Sequence, residues 1–146
     1  MTNPDFNEIH NGALSFAQHL LQAHGEFPPF GVSLGVSGNI AYVVKGRETE
    51  HLFSEEMVEY LQTSFRQQAL HGYISAAGVC INMSAPVPDK EQEYDAICVR
   101  MAHIHDGAIE VFVPYSLDEE GACQLGAPLV RAGESFQLVG GLVQPA

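Results

Sequence analysis

The residues best placed to do chemistry are His103 and His105, separated by Ile104. On an extended strand alternate side chains point the same way, so both imidazoles could meet one divalent transition metal. Asp106 is available as a carboxylate ligand, and Glu110 lies a few residues on. A protein metal site needs three or four ligands, and no second clustered pair supplies them. The alternative is two histidines at the end of a strand that runs into a turn.

Cys80, Cys98 and Cys123 are the next candidates. A nucleophilic cysteine needs a base and an electropositive setting that favours thiolate. Cys80 and Cys98 stand among apolar strand residues, which points to inert core thiols, and Cys98 differs in parity from His103, placing the two on opposite faces. Cys123 falls in an expected loop near Glu119 and Glu120, whose charges oppose a thiolate. Three widely spaced cysteines without CxxC fit a reducing cytoplasm better than a disulfide scaffold.

The elements that must position these groups can be read from periodicity. Phe6, Ile9, Ala13, Phe16, Ala17, Leu20 and Leu21 recur at three- and four-residue steps, predicting an amphipathic helix. Asp5 and Glu8 suggest a capping box at its start, and Gly25 ends it. Pro28 and Pro29 make a stiff connector, with Phe27 and Phe30 expected in the core. Residues 30–36 and 40–44 then read as a hairpin around Ser37-Gly38-Asn39.

A second helix is expected from Ser54 as N-cap, with Met57, Val58, Leu61, Phe65, Ala69 and Leu70 as its buried stripe. Glu55 and Glu56 suit its positive end, and Gly72 follows its last turn. Beyond it lie strands over 73–85, 95–104 and 108–114, the last stopped by Pro114, and a final strand over 135–143. Asp106-Gly107 signals a hairpin, Gly78 a bulge or close approach, 86–93 a loop, and 117–121 a helical turn. Arg100 and Arg131, two of only six basic residues, are expected in ion pairs.

The expected fold is one α+β domain over residues 1–146, a mainly antiparallel sheet with two amphipathic helices in the order α-β-β-α-β-β-β-(turn)-β. With both helices on one sheet face, the other needs water, a ligand or a partner subunit.

Composition narrows the partners. The chain is 46% hydrophobic, too apolar to be disordered, and a formal charge of −12 repels nucleic acid and anionic lipid. No apolar run reaches the roughly 20 residues of a membrane span. Charged residues make up 16%, low enough to fit a surface buried in a homodimer, while the acidic surface would suit a basic protein partner.

Residues 24–31 (HGEFPPFG), 72–74 (GYI), 95–99 (DAICV) and 111–115 (VFVPY) together resemble small bacterial α+β proteins that carry a GEF-PFG segment and a late VF-PY strand. The resemblance implies the fold and no particular activity or cofactor. Size, acidity and helices flanking a sheet also resemble acidic dimeric secretion chaperones, which have three strands between the helices where two are read here, and toxin-immunity proteins, which implies a chaperone or inhibitor of a basic partner. The missing catalytic constellation, the low charged fraction and the uncovered sheet face point instead to a non-enzymatic binding homodimer, with a metal-dependent or small-ligand-binding enzyme using His103 and His105 as the alternative.

Overall fold

The computed structural model describes residues 3–47, 49–86 and 93–138. It is an α+β protein with two helices and an open, antiparallel seven-stranded sheet. Helix α1 spans Pro4–His24 and α2 Ser54–Leu70. The strands are β1 Phe30–Gly35, β2 Ile40–Val43, β3 Ile74–Pro86, β4 Glu93–His103, β5 Gly107–Leu117, β6 Cys123–Leu125 and β7 Leu129–Ala132. Their order is β2-β1-β3-β4-β5-β6, and β7 also pairs with β5.

The helices lie on opposite faces, a correction to the expectation that both would cover one. Period-two alternation in the central strands divides the core accordingly. Phe30, Val32, Ala76, Cys80, Val99, Met101 and Val111 pack with the α1 stripe. Ala77, Val79 and Ala102 pack with Met57, Leu61 and Phe65 of α2. Two glycines set the approach of each layer. A Cβ on Gly78 would stand 2.6 Å from Ile9 Cγ2, and one on Gly31 would stand 2.5 Å from Phe65 Cζ. Gly78 is thus the expected close approach rather than a bulge.

The helix starts differ from the sequence reading. Asn3, not Asp5, caps α1, accepting the Asp5 N–H at 2.7 Å, and Pro4 occupies the first turn, where a missing N–H costs nothing. Asp5 is therefore released for another partner. In α2 the N-cap is Phe53, whose N–H donates to Glu56 at 2.9 Å, and Ser54 is already helical. Leu70 is 63% exposed, so the α2 stripe ends at Ala69, one residue earlier than its apolar residues suggest.

Pro114 does not end its strand, which continues to Leu117. Its carbonyl accepts from Gly126 N at 2.7 Å, so its absent N–H faces the same edge. There the ladder lapses between β6 and β7. The pairing Tyr115↔Leu125 gives way to Phe112↔Leu129, an offset of one residue. Residues 117–121 form no helical turn. Asp118 Oδ1 accepts the N–H groups of Glu120 and Ala122, closing a β5–β6 hairpin, and Cys123 begins β6 instead of lying in a loop.

Residues 135–138 are not a strand either. Phe136 and Leu138 are buried on the α2 face, where Arg66 donates to Gln137 O at 3.1 Å. The expected loop over 86–93 and the rest of the last strand, 139–143, fall largely outside the described residues. No helix among the described residues is long and apolar enough to cross a membrane.

Candidate functional site

His103 ends β4 on the α1 face and is buried. Its Nε2 lies 2.8 Å from Asp5 Oδ2, and its Nδ1 takes the backbone N–H groups of His105 at 3.0 Å and Asp106 at 3.3 Å. Backbone donors need a lone pair, so Nδ1 accepts and Nε2–H donates to the carboxylate. One imidazole thus fastens the first turn of α1 to the β4–β5 turn. Asn3 adds a second tie through its side-chain amide to Asp106. Phe6 meets the His103 ring edge-on, with centroids 5.8 Å apart.

His105 lies in the turn, exposed, its ring centroid 5.9 Å from that of His103 and tilted by 49°. The two histidines and Asp106 line a broad concavity of about 790 Å³ with Ile109 and Val130. A metal at His103 would have to displace either Asp5 or the turn's N–H groups. Glu110 does not join this cluster. It pairs with Arg100 across β4–β5 and points to the α2 face. Among the described residues no group of three or more His, Cys, Asp or Glu is placed to hold a metal ion.

On the α2 face Glu110 is 5% exposed and lies between two guanidinium groups, Arg100 at 3.7 Å and Arg131 at 3.9 Å. Both arginines are therefore in the ion pairs expected of them. Cys98 Sγ–H points at the same carboxylate from 3.9 Å. Burial, and then the Glu110 charge, push the Cys98 thiol up to about 12. It is held as a neutral donor, the reverse of a nucleophile's setting. Cys80 is raised chiefly by burial as well. The two lie on opposite faces and are free thiols.

Two polar features were not legible in the sequence. His10 is buried on α1 with Nδ1 unpartnered among the described residues, and burial lowers its pKa. Among the described residues Arg100 Nε is buried with no hydrogen-bond partner, while Nη1 makes a 3.4 Å bond to Gln62 Oε1. Arg100 and Gln62 stand at a groove of about 410 Å³ between α2 and the sheet. The only sequence signal for this groove is a mid-strand arginine, which says nothing about what approaches it.

The comparisons add no relative. No protein-family model matches the chain, and no curated protein or solved structure shows a significant match to it.

Proposed function

We propose that this protein is a non-enzymatic interaction domain that acts as a homodimer, two copies joining edge to edge along β7. The observation that carries the reading is the state of that edge. Leu129 and Val130 of β7 are 51% and 49% exposed, and no described strand pairs with its outer side. Open apolar edges are ordinarily covered or guarded, because their free N–H and C=O groups recruit another strand.

Charge favours this edge over the rest of the surface. Eighteen acidic residues give copies of the chain a strong mutual repulsion, yet residues 121–133 contain none and carry one arginine. That arginine, Arg131, is turned to Glu110 and over the Phe112 ring at 4.5 Å. The opposite edge, β2, is followed by Lys45, which donates to Leu52 O at 2.8 Å, and by the exposed Arg47, the kind of residue that guards an edge against pairing.

The chemistry-bearing groups support a binding role by being occupied with one another: His103 with Asp5 and the turn, Cys98 with Glu110. The free, buried thiols of Cys80 and Cys98 support a reducing compartment such as the cytoplasm.

Light scattering coupled to size exclusion at micromolar concentration tests the assembly. We expect a mass near twice the 15.8 kDa of one chain, and the monomer mass for Val130→Lys with unchanged circular dichroism. A wild-type monomer overturns the dimer, and a Val130→Lys dimer overturns the edge.

A further inference from the structure

We propose that the groove between α2 and the sheet binds a free amino acid with an apolar side chain. Three kinds of group line it, and each matches one part of such a ligand.

The inner end is cationic and amide-bearing. Arg100 projects from the middle of β4 with its side chain 23% exposed, and among the described residues its Nη1 makes only a long hydrogen bond, 3.4 Å to Gln62 Oε1. Its contact with Glu110 runs through Nε at 3.7 Å, beyond hydrogen-bond range, so among the described residues Nε has no hydrogen-bond acceptor. Gln62 stands beside it, its amide reaching Ser135 O at only 3.4 Å. A planar guanidinium next to an amide is a good receptor for a carboxylate.

The outer wall is acidic. Glu59 is exposed on α2, three residues before Gln62, so the two project from neighbouring positions on one flank of the helix. An ammonium group bonded next to a carboxylate would meet Glu59 when the carboxylate meets Arg100. Glu55, one turn earlier on the same flank, adds to the negative potential. The remaining wall is apolar: Val58 on the helix, and Ile81 and Met83 at alternate positions of β3. These offer a seat for an aliphatic side chain. A volume of about 410 Å³ suits a small ligand.

The whole-molecule charge decides between ligand classes. A formal charge of −12 repels a simple anion, and a simple cation, though drawn to Glu59, would leave the Arg100 donors unmatched. A zwitterion carries no net charge, so it escapes both penalties while satisfying both ends of the groove. The groove is built from one subunit's residues and does not depend on the β7 edge.

Isothermal titration of the full chain with L-leucine, L-methionine and L-valine tests the proposal. At least one should give saturable heat. The matched acid, 4-methylpentanoate, and the matched amine, isoamylamine, should each bind at least about tenfold more weakly than L-leucine, having lost one charge-assisted contact. Glu59→Gln, on an exposed helix position, should weaken binding to a similar degree without changing the melting temperature of the free protein. Arg100→Gln should abolish binding, with circular dichroism reporting whether it folds. No saturable heat with any of the three amino acids overturns the proposal. So does equal binding of 4-methylpentanoate and L-leucine, or an unaltered affinity in Glu59→Gln.

Discussion

Asp5 accepts a 2.8 Å hydrogen bond from His103, a residue 98 positions later in the chain. The pair joins the start of α1 to the far end of β4, and the other ring nitrogen of His103 holds the turn that begins β5. Removing either partner should cost about 1–2 kcal/mol, since a part-buried polar group is left unmatched. Asp5→Ala, His103→Ala and the double variant, compared by urea unfolding, should show a coupling of at least about 0.5 kcal/mol. Additive effects would mean that the contact does not hold α1. Nitrogen-15 shifts of His103 should report protonated Nε2 and bare Nδ1.

At Gly78 the side chain of Ile9 packs directly on the β3 backbone. Gly78→Ala should destabilise by about 1–3 kcal/mol, because the new methyl falls on Ile9 Cγ2 and neither the helix nor the central strand moves freely. Ile9→Ala alone should also destabilise, by leaving a cavity. The double variant should lose less than the sum, as one methyl partly fills the space left by the other. Equilibrium unfolding checks this, and strict additivity would place the contact elsewhere.

Glu110 and its two arginines should respond unequally to substitution. Glu110→Ala leaves Arg100 part-buried without its carboxylate, at a cost of about 2–3 kcal/mol. Arg131 is 61% exposed and can rehydrate, so Arg131→Ala should cost less than about 1 kcal/mol. Comparable losses in thermal unfolding would show that Arg131 is more deeply committed to the pair.

Cys98 supplies a pH dependence with a definite sign. Its thiol is raised from 9.0 to about 12 in the folded state, so the unfolded chain loses that proton first as pH rises. Between those values the folded state binds more protons, and stability must fall with rising pH. The contribution is complete below pH 9.0 and lost as pH approaches 12. Cys98→Ala should flatten that alkaline slope in urea unfolding. Near neutral pH, Cys123, the half-exposed thiol, should be alkylated well before Cys80 and Cys98.

How much was legible in the sequence differs from element to element. The two helices, the β1–β2 hairpin and the hairpin at Asp106-Gly107 announce themselves because their signals are local: three- and four-residue apolar steps, or a glycine at positive φ in a tight turn. The parity of Cys98 and His103 was equally legible, since alternation within one strand follows from strand geometry. The strand after Pro114 was not. A proline removes one donor, but whether that donor is missed depends on the neighbour it faces, here the junction of β6 and β7. The shortness of β6 and β7 hid them too, because three or four residues carry too little alternation to read.

His103 and His105 mark the same boundary. The sequence by itself determined that two imidazoles stand at the end of a strand before a turn, and that Cys98 must face away from them. Only the tertiary structure decided that His103 spends both nitrogens on Asp5 and the turn, and that Glu110 turns to the arginines on the opposite face. It also decided that the helices lie on opposite faces of the sheet. The reason is physical: periodicity fixes which side of its own element a residue occupies, whereas partners 98 residues apart are set by how the layers stack.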